Sequence, residues 1–278
     1  MTIVNVNDTE LFYIKHGSGT PFLVMHGGLG FDHTYFRPEL DPLGGQLQLI
    51  YFDYRGHGRS GRPPVSTITF DQLADDTEEL RKVLGFGKIG VIGHSAGGLV
   101  ALKYAINFPQ NLSHLILLNT FPAFDRKYVK DSLTEIQAKN PSPEVMKAFN
   151  APNSTTLEDL KQNLRIINYL YVFNFNSEIK KRFDKMIDEM NFNLEISAIN
   201  GLLMSKFNVL EDLSKITAPT LIIGGKGDAI VPVSQAKRLY ENIRNSEIYL
   251  FEKSGHYPFL EEPELFINII LKWFNKMK

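Results

Sequence analysis

The 278-residue chain contains no cysteine. That absence removes disulfides, thiolate zinc sites and cysteine nucleophiles, and leaves the redox compartment open. An excess of either charge is also missing, since 30 lysines and arginines stand against 31 aspartates and glutamates for a net of -1. Nothing therefore favours an electrostatic grip on nucleic acid or on an anionic membrane, and a small-molecule substrate reached without bulk charge steering is expected. No stretch approaches the roughly 18 uncharged apolar residues of a membrane span. Residues 1–8 have neither the basic start nor the apolar core of a signal peptide. A soluble, cytoplasmic protein is the expectation, with its oligomeric state left open. The seven histidines show no H-E-x-x-H or comparable ligand spacing, so no metal is expected.

What is present is an alternation of short apolar runs with helix-patterned segments. Strands are expected at residues 2–6 and 10–15, at Phe22–Met25, Leu47–Phe52, Lys88–Ile92 and Leu115–Leu118, and again at Pro219–Gly225 and Glu247–Phe251. Apolar spacing predicts a helix over Thr69–Leu84, opened by a capping box of Thr69 and Gln72. Further helices are expected after residue 98, at Ser234–Ile243, and at the end, where Phe266, Ile269, Ile270 and Trp273 make an apolar stripe. Strands alternating with helices imply a mainly parallel sheet covered on both faces, with functional groups at the C-terminal strand ends.

Between residues 121 and 212 the alternation stops. This stretch is helix-patterned, most clearly at 155–173, 177–190 and 192–204, and holds four of the seven methionines: Met146, Met186, Met190 and Met204. Methionine can shape an adaptable pocket, but ordinary packing between helices is the favoured reading. The expected organisation is a core of residues 1–120 and 213–278 with a helical cap at 121–212.

Four strand ends carry residues of chemical interest. Lys88–Ile92 runs into Gly93-His94-Ser95-Ala96-Gly97-Gly98 and then a helix, the strand, G-x-S-x-G, helix pattern of a nucleophile elbow. Phe22–Met25 delivers His26-Gly27-Gly28-Leu29-Gly30. This loop is not a dinucleotide fingerprint, because the third glycine position of G-x-G-x-x-G is His33, and no cofactor is expected. Its bared N–H groups fit an oxyanion hole instead, with Gly28 the chosen donor, Leu29 the fallback and His26 pinning the loop. The segment from Asp53 to Pro64 is read as a loop held by Asp53 and Arg55 hydrogen bonds, not as a phosphate clamp. Asp228 and His256 follow the last two strands, and Asp125 is the alternative acid.

The order Ser95, Asp228, His256 is that of the α/β-hydrolase template. With His26-Gly27-Gly28, Asp53-x-Arg55-Gly56-x-Gly58-x-Ser60, the elbow, Gly227-Asp228-x-x-x-Pro232 and Gly255-His256-x-Pro258, the chain resembles the α/β-hydrolase superfamily over nearly its full length. The resemblance implies an eight-stranded, mostly parallel sheet with a helical cap after the sixth strand. It also disfavours dehalogenase and epoxide hydrolase chemistry, which uses a carboxylate where this chain has Ser95.

The expected chemistry is acyl transfer to water, with Ser95 as nucleophile, His256 as base, Asp228 orienting it, and the N–H groups of Gly28 and Ala96 binding the oxyanion. An esterase for small to medium acyl groups ranks first, with lactones as a variant. A proline iminopeptidase-like aminopeptidase is the alternative, given the His-Gly-Gly loop and Asp-x-x-Gly-x-Gly-Arg-Ser segment. That enzyme would need cap carboxylates for its substrate's amine, and Glu158, Asp159, Asp184, Asp188 and Glu195 are the available acids. A slow-turnover ligand receptor is the third reading.

Overall fold

The structure is a computed structural model and describes residues 2–151 and 154–277. Eight strands, β1 (Thr2–Val6), β2 (Thr9–His16), β3 (Thr20–Met25), β4 (Leu47–Phe52), β5 (Ile89–His94), β6 (Leu112–Leu118), β7 (Thr220–Gly225) and β8 (Ser246–Phe251), form one sheet in the order β1-β2-β4-β3-β5-β6-β7-β8. Only β2 runs against its neighbours β1 and β4; the remaining pairs are parallel. The turn from β1 to β2 is tighter than expected because Asn7 adopts a left-handed φ of 51°, which lets β2 begin at Thr9.

The central strands are apolar on consecutive residues because both faces are covered. In β3, Leu23 and Met25 point into one core while Phe22 and Val24 point into the other. The first core is closed by helices α1 (Phe70–Val83) and α2 (Ala96–Asn107), with Leu73, Leu80, Leu99 and Leu102 buried. The second is closed by the last helix of the chain, whose Phe266, Ile270, Trp273 and Phe274 are buried while Ile269 is only half-buried.

Thr69 caps α1 by accepting the Gln72 N–H at 3.1 Å, but the expected reciprocal box does not form. The Gln72 side chain donates instead to Asp76, a charged acceptor one turn further on. Asp76 also takes Arg55 through Nε and Nη2, and Arg55 reaches Asp8 as well, so Arg55 stitches a loop to α1 as expected of it. Asp53 likewise accepts from the His33 and Arg59 backbone.

Between β6 and β7 lie α3 (Arg126–Ala138), α4 (Pro143–Phe149), α5 (Leu157–Tyr171), α6 (Ser177–Glu189) and α7 (Leu194–Ser205). α5 and α7 start two residues later than their patterns suggest, because Thr156 and Asn193 are the caps. After β7 come α8 (Val233–Asn242), then β8, the short α9 (Pro258–Glu261) and the closing α10 (Pro263–Met277). Among the described residues no helix is long and apolar enough to cross a membrane.

Candidate active site

Ser95 stands between the last residue of β5 and the first of α2. Its φ of 54° and ψ of -123° lie in a region that a non-glycine residue adopts at a cost of about 1–3 kcal/mol. The surroundings hold it there. Its carbonyl accepts from the Gly98 N–H at 2.9 Å and from the Thr120 hydroxyl at 2.8 Å. The flanking glycines are sterically required: a Cβ on Gly93 would lie 2.6 Å from that of Ala101, and one on Gly97 would overlap the Met25 carbonyl. Ala96 opens α2, so its N–H is one of the unsatisfied donors at a helix N-terminus, where partial positive charge favours an anion.

The loop after β3 approaches Ser95 from the side. His26 is buried and spans the loop, with Nδ1 donating to the Gly27 carbonyl at 3.1 Å and Nε2 accepting the Tyr54 N–H at 3.5 Å. Burial lowers its pKa to about 4, which keeps it neutral. The Gly27 N–H is taken by the Tyr35 hydroxyl at 2.5 Å. Gly28 follows with a φ of 60°, and among the described residues neither its N–H nor that of Ala96 is in a hydrogen bond.

His256 Nδ1 donates to Asp228 Oδ2 at 2.6 Å, leaving Nε2 as the acceptor nitrogen. The Asp228 carboxylate is held on all sides. Oδ2 also receives the Asn119 amide at 2.9 Å, while Oδ1 accepts the N–H groups of Ile230 and Val231, each at 2.9 Å. Asp228 thus caps its own turn and orients a histidine at once. Asp125 is outside this arrangement: it caps α3 and pairs with Arg238 at 2.6 Å.

Gly28, Ser95, Ala96 and His256 line one cavity of about 120 Å³, with Asp228 behind His256. The inserted helices supply the roof: Tyr128 from α3, Leu164, Asn168 and Tyr171 from α5, Met186 from α6, and Asn200 and Met204 from α7. Met186, Met190 and Met204 line the cavity and also pack in or against the two cores, as the expectation of packing between helices has it, while Met146 packs against a smaller third cluster. No aspartate or glutamate lines the cavity among the described residues. Asp184 and Asp188 pair with Arg165 instead.

Three positions escaped the sequence reading. His94 is the variable residue of the elbow, and its imidazole links Tyr35 to the main chain of His256. Asn119 at the end of β6 donates to both Asp228 and the Gly255 carbonyl, from a left-handed φ of 45°. Tyr35 lies on a 3-10 turn with no motif to mark it. An asparagine just past a buried strand was the only signal available for these three.

The sequence model of the alpha/beta hydrolase fold matches residues 20–263, and the chain belongs to that family. It is 29% identical to a proline iminopeptidase of Saccharolobus solfataricus, with 99% of this chain and 91% of the relative covered. It is also 29% identical to a proline iminopeptidase of Pestalotiopsis fici, covering 98% and 99% of the two chains. Among solved structures it is similar to an esterase from Exiguobacterium antarcticum, with a TM-score of 0.79, 25% identity and 98% of each chain covered.

Proposed function

We propose that the protein is a serine hydrolase that cleaves carboxylic esters of small to medium acyl groups through an acyl-enzyme. His256 Nε2 takes the Ser95 hydroxyl proton as Oγ bonds to the acyl carbon, and the carbonyl electron pair moves onto oxygen. The N–H groups of Gly28 and Ala96 receive that oxyanion, each worth about 3 kcal/mol in the transition state. Asp228 keeps the proton-accepting tautomer and stabilises the imidazolium without taking the proton. Collapse breaks the bond to the leaving alkoxide, which leaves with the proton from Nε2. Water activated by the same nitrogen then releases the acid. The helices between β6 and β7 act as a cap over this reaction.

The observation that carries the ester reading is the uncharged cavity over Ser95. Its polarity comes from two amides, Asn168 and Asn200, and from tyrosines, with no carboxylate to neutralise a substrate ammonium group. Burying such a cation unpaired would cost several kcal/mol. A volume of about 120 Å³ is in the class of cavities that hold one small ring or a short chain. The second reading, an N-terminal peptidase acting on proline, is favoured by the full-length similarity to proline iminopeptidases.

The two separate in one assay of purified protein on p-nitrophenyl esters of graded length and on prolyl and alanyl arylamides. The ester reading expects butyrate-sized esters to be turned over fastest, with arylamides at least about a hundredfold poorer in kcat/KM. Prolyl arylamide cleaved faster than every ester would overturn it.

A further inference from the structure

The end of α5 passes both loops that carry Asp228 and His256, and four consecutive residues there use main-chain groups at this crossing. The Leu170 carbonyl accepts the Ala229 N–H at 3.3 Å, and the Tyr171 carbonyl accepts the N–H of His256 itself at 2.5 Å. The Val172 carbonyl takes the Lys139 ammonium at 2.5 Å, and the Phe173 N–H donates to Glu261 Oε2 at 2.7 Å. The other oxygen of Glu261 accepts the Gly255 N–H at 2.6 Å. Carbonyls at a helix C-terminus lack partners within the helix. Here the partners include His256 and the residue that follows Asp228.

The contact leaves no slack. A Cβ on Gly255 would overlap the Tyr171 carbonyl oxygen, and one on Gly227 would lie 2.6 Å from Phe173 Cα.

We propose that Glu261 is a positioning residue: by joining the α5 exit to Gly255, it fixes His256 against Asp228 and makes that pair depend on the docked helical insertion. The inference rests on the proposed role of His256 as the base. Ionised above its pKa of about 7, Glu261 is an expensive way to hold two chain segments together, because burial and the nearby Asp228 charge both oppose the anion. An apolar residue would pack there at lower cost. What the carboxylate alone supplies is two acceptors for two N–H groups from segments far apart in the chain. Lys139, half-buried at the C-cap of α3, holds the strap at the residue between.

The test compares Glu261→Gln, Lys139→Met and Ser95→Ala with wild type on p-nitrophenyl butyrate. Glutamine keeps the shape but turns an N–H2 group toward one of the two donors. The expected result for Glu261→Gln is a fall in kcat of roughly tenfold to a hundredfold, since small misplacement of a reacting group costs that much. KM should stay within about twofold because the cavity lining is intact, so that the loss falls on kcat alone. Folded Glu261→Gln protein with wild-type kcat, or with its loss carried by KM instead of kcat, would overturn the inference. If Glu261→Gln does not fold, Lys139→Met decides: a smaller fall in kcat at constant KM supports the strap, and unchanged kcat refutes it. Ser95→Ala separates the two levels. Full activity in that variant removes the proposed chemistry, whereas an inactive Ser95→Ala beside a fully active Glu261→Gln removes only this inference.

Discussion

The Tyr35 hydroxyl lies 2.8 Å from Nδ1 of His94, and that contact fixes every proton direction behind Ser95. His94 Nε2 faces the His256 carbonyl at 2.9 Å and must donate to it, so Nδ1 is the acceptor and Tyr35 its donor. The tyrosine oxygen in turn receives the Gly27 N–H. Burial, reinforced by His256, keeps the His94 pKa well below its ordinary value, so the neutral tautomer this chain needs persists. Three strand ends are thereby tied together through one imidazole.

Tyr35→Phe keeps the ring packing on Phe36 and Phe259 but strands the Gly27 N–H and His94 Nδ1, both buried. Each orphaned group costs about 1–3 kcal/mol. Urea denaturation should show a loss in that range or up to twice it, and an unchanged midpoint would contradict the network.

Arg55 and Asp76 are each 1% exposed and are joined by a bidentate pair. Removing one partner of such a pair leaves an uncompensated buried charge and costs about 3–5 kcal/mol. Asp76→Ala should lose that much in denaturant unfolding. A loss under 1 kcal/mol would mean that Asp8 alone neutralises Arg55.

Glu261 has its pKa raised from 4.5 to about 7, chiefly by burial, with the Asp228 charge adding and the Gly255 and Phe173 N–H groups and Lys139 opposing. The native state therefore binds more protons than the unfolded chain between those two values. Stability falls through this residue as pH rises from 4.5 to 7 and is level on either side. Glu261→Gln removes the effect, so the melting temperature of wild type minus that of the variant should decline across that window. A constant difference would contradict the assignment.

Met190 is buried beside the cavity and sets part of its length. Met190→Ala should raise the kcat/KM ratio of octanoate to butyrate esters by about tenfold or more, as one to three methylenes gain room. The same change should cost about 2–5 kcal/mol of stability. A ratio that does not move would place the acyl group elsewhere.

The centre of the sheet was legible because its strands are buried on both faces and so read as unbroken apolar runs such as Phe22–Met25. Ser95, Asp228 and Gly28 were legible as placements because each follows such a run, and His256 because it follows the last strand, β8. Tyr35 and Asn119 were not, since their roles arise from contacts between segments distant in sequence, and one tyrosine among 11 carries no local sign of its partner. That Met186 and Met204 also border a cavity is not legible, because helical periodicity marks a buried stripe without saying whether protein or substrate fills the space beside it. The half-formed capping box failed for a similar reason: Gln72 found a better acceptor in Asp76 than spacing alone could reveal.

The central claim is that Ser95 carries the acyl group, and mass spectrometry after brief exposure to an excess of p-nitrophenyl butyrate at low pH tests it most directly. The account predicts a butyryl adduct on the peptide containing Ser95, absent in Ser95→Ala, which should also lose turnover by about a thousandfold or more. An adduct on another residue, or a Ser95→Ala protein that still hydrolyses the ester at the wild-type rate, would contradict it.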